Sequence, residues 1–392
     1  MTAAPDPLSL PPVPPPAPAG HPWRDRIVAA LFGLSLGVPL VGLTGTWART
    51  MTQFENRPTA PWPAPELARQ FPPAFERAFG DRFGGRDLLI RLHHASLVKL
   101  FGVSGMASVL PGRNGWFYWL GEDTRSLDRY YRGVAPFSQR EVDATVAELI
   151  RRRAWLAARG IAYVVTVAPE KFTIYPEYLP VWAAKSGQPT PYDRIAAALR
   201  ADGRVAFIDL RPALLAAKVR GQIYYRTDSH WNYDGAVVGY EAIMRAVERE
   251  LPPGRLATVA PPWRPPYVPG VDVFTGDLGI LLGLKGWIRE DGIPPPSQRA
   301  TDPAGRCAKR VDDRKSPGFE VYACDRPGLP RALLYRDSMA DALIPMLAEN
   351  FSRLVVVAER RLDPALIERE RPDVLIEELV ERMLNTPGAV PM

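Results

Sequence analysis

Of the four histidines in this chain, only His230 lies downstream of position 94, within Tyr225-Arg226-Thr227-Asp228-Ser229-His230-Trp231-Asn232. Acid–base chemistry near neutral pH calls for a group that changes charge there, which among unperturbed side chains means an imidazole. Residues i and i+2 of an extended or turn segment point the same way. Asp228 can therefore hold one ring nitrogen of His230 and leave the other facing a nucleophile. A half-buried loop histidine would carry the same Asp-x-His tripeptide, so the pattern alone leaves both readings open. The candidate nucleophile is Ser338. Arg331-Ala332-Leu333-Leu334-Tyr335 reads as a short buried strand that breaks at Arg336-Asp337-Ser338, and the stretch 339–351 is helix-like. Strand, sharp turn and helix start expose a serine hydroxyl among unpaired backbone N–H groups, the donors an oxyanion hole needs. A serine placed there can equally do no more than cap the helix, and Pro345 would bend a helix begun at Ser338.

To meet, these segments must be carried on one scaffold. Ser138-Gln139-Arg140-Glu141 is a capping box that opens a helix running toward Ala158, and Gly160 stops it. The almost wholly apolar run 161–167 follows as a strand. Further strands are expected at 205–210, 332–335, 354–357 and 374–376, and helices at 192–201 and 235–250. Glu377 and Glu378 read as a helix start after the last strand. Helices alternating with buried strands predict an α/β fold, a parallel sheet with helices on both faces. The motifs then fall at the carboxyl ends of strands, where ligands bind in such sheets. Upstream, 62–79 and 88–101 read as amphipathic helices. The segment 286–330 breaks the rhythm and reads as a long insertion, irregular or β, between base and nucleophile. The proline-rich run 260–269 interrupts it too.

The 392 residues carry a formal charge of +6, from scattered arginines rather than a dense basic run with interleaved aromatics, which argues against a nucleic-acid partner. Residues 1–26 begin with a proline-rich stretch too poor in apolar bulk to fold. Residues 27–47 contain no charge, enough for a helix crossing a hydrocarbon core of roughly 30 Å. Arg24 and Arg26 favour a cytoplasmic N-terminus, and an uncleaved anchor is favoured over a signal peptide because no small-x-small cleavage site is evident. The domain plan is thus a tail (1–26), a transmembrane helix (27–47), a membrane-proximal helical segment (48–135) and a catalytic domain (136–385) with the insertion 286–330. Cys307 and Cys324 are the only cysteines. In an oxidising compartment they could close a loop worth about 3 kcal/mol, and two reduced buried thiols are the alternative. No second histidine or cysteine cluster accompanies them, so a metal centre is not expected.

Taken in order, the motifs resemble the SGNH-hydrolase-like proteins of alginate O-acetylation, the AlgJ/AlgX type. The resemblance rests on Asp228-x-His230-Trp231 followed by a strand ending in Asp337-Ser338. Also matching are Glu55-Asn56-Arg57 with its proline cluster, Phe75-Glu76, Asp81-Arg82-Phe83-Gly84-Gly85-Arg86 and Asn114-Gly115-Trp116-Phe117-Tyr118. Pro169-Glu170-Lys171 with Ile174-Tyr175-Pro176 and Leu179-Pro180 completes the set. It implies a circularly permuted, flavodoxin-like SGNH domain in which Asp and His precede Ser. By matching motif it implies Ser338 as nucleophile, His230 as base and Asp228 as the residue that orients His230. Where classical SGNH enzymes have Gly-Asp-Ser, this chain has Arg336-Asp337-Ser338. Arginine costs the turn backbone freedom but can bring a cation toward a developing oxyanion. Trp231, Tyr225, Lys171 and Arg336 are the candidate substrate contacts, with core packing or a solvated lysine as the plainer alternatives. The implied activity is O-acetyl transfer to an exopolysaccharide at the periplasmic face of the bacterial inner membrane. A multi-pass membrane acyltransferase is the implied donor partner, and no cofactor is needed because nucleophile, base and oxyanion donors suffice. A periplasmic esterase with the same triad and a non-catalytic polysaccharide-binding protein remain the alternatives.

Overall fold

The apolar runs become strands of one sheet in the computed structural model, which describes residues 22–46, 58–64, 69–121, 127–134, 137–256, 273–293, 307–310, 319–324, 326 and 328–384. The tail 1–21, the Glu55-Asn56-Arg57 motif, the run 260–269 and most of the insertion lie outside the described residues. The chain divides into two compact units, 1–90 and 91–392.

The first unit contains α1 (Pro22–Thr46) and α2 (Phe71–Arg82). The helix α1 covers nearly all of the uncharged run 27–47. Ile27, Val28, Leu31, Phe32, Leu34 and Leu36 are all exposed on it, and the side chains beyond Gly37 lie outside the described residues. Among the described residues no helix is long and apolar enough to cross a membrane. On α2, Phe71, Phe75 and Phe79 stack at i, i+4 spacing with centroids 5.9 Å apart. The helix starts later than expected because Pro72 and Pro73 favour the first turn rather than the interior. A third helix, α3 (Arg86–Ser96), runs past the division at Ile90.

The second unit starts with a hairpin, β1 (Val109–Pro111) and β2 (Phe117–Trp119), inside the stretch expected to be helical. Then follow α4 (Gln139–Ala157), β3 (Ala162–Ala168), α5 (Lys171–Ile174), α6 (Pro191–Asp202), β4 (Ala206–Asp209), α7 (Arg211–Lys218), α8 (Tyr233–Glu250) and α9 (Asp277–Leu281). The chain ends with β5 (Cys307–Arg310), β6 (Phe319–Cys324), β7 (Arg331–Tyr335), α10 (Ile344–Ala348), β8 (Arg353–Val357), α11 (Pro364–Glu370), β9 (Val374–Val380) and α12 (Glu381–Leu384). The capping box at Ser138 forms as expected, with Ser138 N–H donating to Glu141 Oε2 at 2.7 Å.

Among the described residues, seven strands pair in the order β4-β3-β9-β7-β8-β6-β5. The first five are parallel, as the apolar runs predict. The insertion adds β6 and β5 antiparallel at one edge, so the sheet is mixed rather than wholly parallel. Cys324 is disulfide-bonded and lies opposite Cys307 in the β5–β6 register. Alternation along β3 shows how both faces are covered. Tyr163, Val165 and Val167 face a core with Leu149, Leu156, Ile195 and Leu199 from α4 and α6. Val164 and Ala168 face another with Tyr240, Ile243 and Val247 from α8.

Two local expectations are corrected. Glu377 and Glu378 lie inside the fully buried strand β9 rather than at a helix start. Burial is tolerated because Glu377 pairs with the buried Arg152 at 2.8 Å, and the helix start falls at Glu381. The segment after Ser338 is a short 3₁₀ turn, Ser338–Ala342, followed by α10 with Pro345 in its first turn. The proline thus begins a second helix instead of bending one long one.

Candidate active site

Parallel strands put the carboxyl ends of β3, β7 and β9 on one edge of the sheet, and the chemistry-bearing residues gather there. Ser338 follows β7 and is exposed. The cap of its 3₁₀ turn is Asp337, not Ser338: Asp337 Oδ1 accepts from Met339 N–H at 2.8 Å and Oδ2 from Val380 N–H at 2.5 Å. Among the described residues the Ser338 N–H has no hydrogen-bond partner, as a first-turn donor should not. Beneath the turn, Asp337 N–H donates to Glu378 Oε2 at 3.3 Å. Burial, reinforced by the neighbouring Asp337, pushes the Glu378 carboxyl well above the usual range.

The Asp-x-His segment is the tip of a hairpin-like loop. Tyr224 bridges Trp231, Tyr225 N–H donates to His230 O, and Asn232 N–H donates to Ile223 O at 3.0 Å. Asp228 Oδ1 accepts from both the backbone N–H of His230 at 3.0 Å and the ring Nδ1 at 2.7 Å, an Asx-type turn that fixes the ring. A carboxylate can only accept, so Nδ1 carries the proton. His230 Nε2 then accepts from Ser338 Oγ at 2.9 Å. The structure thus brings Asp228, His230 and Ser338 together in hydrogen-bonded sequence.

Charge follows this geometry. Burial disfavours the imidazolium, but the Asp228 hydrogen bond and the charges of Asp228, Asp277 and Asp341 outweigh it and lift His230 above its ordinary value. Burial would raise Asp228, yet the hydrogen bond and charge of His230 and the N–H of Asp277 hold it below the usual carboxylate range.

The other expected site residues have different placements. Trp231, Lys171 and Tyr225, expected as candidate substrate contacts, are 1%, 2% and 3% exposed. Trp231 packs on α8, where Gly239 leaves it room. Tyr225 meets Phe274 edge-on at 5.3 Å. Lys171 Nζ donates to the carbonyls of Tyr225, Arg226 and Asp228 at 3.0, 3.1 and 2.6 Å. Burial pushes its ammonium down to about 8 against the pull of Glu290 and Asp228. Arg336 is committed to its own turn, with Nη1 donating to Asp337 O at 3.1 Å and pairing with Asp341 at 2.8 Å.

Glu290 and Asp277 were not singled out by the sequence. Glu290, wholly buried, accepts from Arg226 N–H, Thr227 N–H and Thr227 Oγ1 at 2.7–2.8 Å. Lys171 therefore gathers the loop's carbonyls and Glu290 its amides. Gly276 lets α9 approach, since a Cβ there would lie 2.4 Å from Asp228 N. Asp228, His230 and Asp277 offer ligand atoms within 4.8 Å of one another. Hydrogen bonds already occupy His230 Nδ1, both Asp228 oxygens and both Asp277 oxygens, so a cation would have to displace them.

Residues 109–278 match the family model described as SGNH hydrolase-like domain, acetyltransferase AlgX. That span holds Asp228, His230 and Asp277 and ends before Ser338. The chain is 29% identical over 285 residues to the probable alginate O-acetylase AlgJ of Pseudomonas syringae pv. tomato, covering 71% of this chain and 66% of that protein. It is 26% identical over 381 residues to the probable alginate O-acetylase AlgJ of Pseudomonas aeruginosa, covering 93% and 90%. For the protein of the same description from Pseudomonas fluorescens the alignment spans 52% of that protein. Among solved structures, the O-acetyltransferase domain of Pseudomonas putida AlgJ is 19% identical, with 71% of this chain and 92% of that one covered and a TM-score of 0.42. The resemblance read from the motifs is thus borne out by the family match and by the AlgJ relatives.

Proposed function

We propose that this chain, whose residues 109–278 match the SGNH hydrolase-like domain model of acetyltransferase AlgX, is an O-acetyltransferase that passes an acetyl group through Ser338 to a polysaccharide hydroxyl. The observation that supports this reading is the relay Asp228 Oδ1, His230 Nδ1, His230 Nε2, Ser338 Oγ, with contacts of 2.7 and 2.9 Å. The AlgJ relatives, described as probable alginate O-acetylases, favour an acidic exopolysaccharide as acceptor.

In this mechanism Ser338 Oγ attacks the donor's acetyl carbonyl while its proton passes to His230 Nε2. Asp228 stabilises the imidazolium and stays ionised. The free Ser338 N–H meets the developing oxyanion. Collapse expels the donor's leaving group, which takes the proton from Nε2 and leaves an acetyl ester on Ser338. An acceptor hydroxyl then gives its proton to Nε2 and attacks that ester. The new sugar ester departs and Ser338 recovers its proton from the imidazolium.

The uncharged run 27–47 supports a further part of the proposal, an inner-membrane anchor that leaves residues 136–385 in the periplasm. A multi-pass membrane acyltransferase would supply the acetyl group there. The test is acetyl transfer by purified protein from an activated ester to a uronate oligosaccharide. Transfer to the glycan faster than to water is expected. Hydrolysis that ignores every glycan would make the chain an esterase.

A further inference from the structure

We propose that Asp277 is a positioning residue for this reaction, a second carboxylate that fixes the Asp228–His230 segment and places its charge beside the imidazolium formed when Ser338 attacks. The inference rests on the triad reading above and adds a residue to it.

Asp277 opens α9, directly after the glycine that lets this helix touch the loop. Its contacts with the loop are reciprocal. Asp277 N–H donates to Asp228 Oδ2 at 2.9 Å, the oxygen that His230 does not use. Asp277 Oδ1 accepts from the backbone N–H of Ser229 at 2.7 Å, and Oδ2 accepts from Ser229 Oγ at 2.5 Å. Every residue of Asp228-Ser229-His230 is thereby pinned, two by Asp277 and the third by Asp228.

Asp277 Oδ2 also lies 3.7 Å from His230 Nδ1. That is too long for a hydrogen bond but close enough for one charge to act on another. The acidic groups acting on His230 come from three elements: Asp228 on its own loop, Asp277 on α9, and Asp337 and Asp341 around the turn that carries Ser338. Lys171, wholly buried behind the loop, acts on Asp228 and Asp277 in the opposite sense. Asp277 is 39% exposed on its side chain, so solvent screens its charge in part. Its contribution is accordingly smaller than that of Asp228, which is 8% exposed.

Two variants of the full chain separate holding from charge. Asp277→Asn keeps the shape, the backbone donor to Asp228 and one acceptor for Ser229, and removes the charge. Ser229→Ala keeps the charge and removes one tether, together with the 3.2 Å contact of Ser229 Oγ to His230 Nδ1. For Asp277→Asn we expect kcat to fall about tenfold with KM little changed. The ascending limb of the pH profile and the NMR titration of the His230 ring should both move to lower pH. Ser229→Ala should lose part of kcat while the ring titration moves less than in Asp277→Asn. An unchanged ring titration and an unchanged pH limb in Asp277→Asn would overturn the proposal. The ring titration does not depend on turnover. Full activity of Ser338→Ala would therefore remove the triad reading while leaving the Asp277 measurement meaningful on its own.

Discussion

His230 must be neutral to take a proton, yet its surroundings favour the charged ring. Its folded value lies above the ordinary 6.5. The protonated ring therefore adds stability that is fully present below the unfolded value and is lost as pH rises through the folded one. Activity runs the other way. We expect kcat/KM for an activated acetyl ester to climb with pH through a value above 6.5, checked by a pH–rate profile of the free enzyme. Asp228→Asn should lower kcat on the order of 10⁴-fold, the effect of the wrong tautomer in the serine-protease triad. At this scale the hydrogen-bonded contacts of Asp228, His230 and Ser338 were legible in the sequence. Asp228 and His230 are two residues apart, and Ser338 ends a recognisable strand. Asp277 had no such signal, because it belongs to no local motif and meets the loop only through tertiary contact. For Trp231, Tyr225 and Lys171 the sequence left substrate contact and core packing or a solvated lysine side by side, because it cannot tell a residue beside a site from one packed behind it; all three are buried.

The elements around the site act as a clamp. Lys171 at the start of α5 holds the carbonyls of the loop, and Glu290 holds its amides. Lys171→Met would leave three carbonyls without their donor. We expect a loss on the order of 3 kcal/mol in denaturant unfolding, with activity falling although no triad member changes. Gly276→Ala is a narrower test. The new Cβ would collide with Asp228 N and the Thr227 carbonyl, so α9 must withdraw. Activity should drop sharply in ester turnover while the helix signal in far-UV circular dichroism stays close to the parent's. The capping box at Ser138 and the apolar run of β3 were legible because local chemistry determines them. The burial of Glu377 and Glu378 was not, since two adjacent carboxylates look like a helix start until Arg152 and the Ser338 turn are seen beside them.

Across the whole molecule, the parallel strands place their carboxyl ends, those of β3, β7 and β9 among them, on one edge, and residues 108 positions apart in the chain come within hydrogen-bond reach. The parallel part of the sheet was readable because strands buried on both faces are nearly continuous apolar runs. The two antiparallel edge strands were not, since β5 and β6 are more polar and lie within an insertion. The uncharged run 27–47 leads to a further expectation. Removing residues 1–48 should give a folded protein that stays in solution without detergent, and a reporter fused after residue 50 should score as periplasmic. Cytoplasmic reporter activity would reverse the proposed topology.

The central claim is that the acetyl group rests on Ser338 during turnover. Rapid quenching of the purified chain with an activated acetyl ester, followed by intact mass and peptide mapping, tests it most directly. The account predicts one added acetyl group, located on Ser338. It should be absent in Ser338→Ala and form slowly in His230→Ala, and the losses in turnover should be non-additive because the two residues act as one unit. Undiminished turnover in Ser338→Ala, or an acetyl group mapped to another residue, would contradict it.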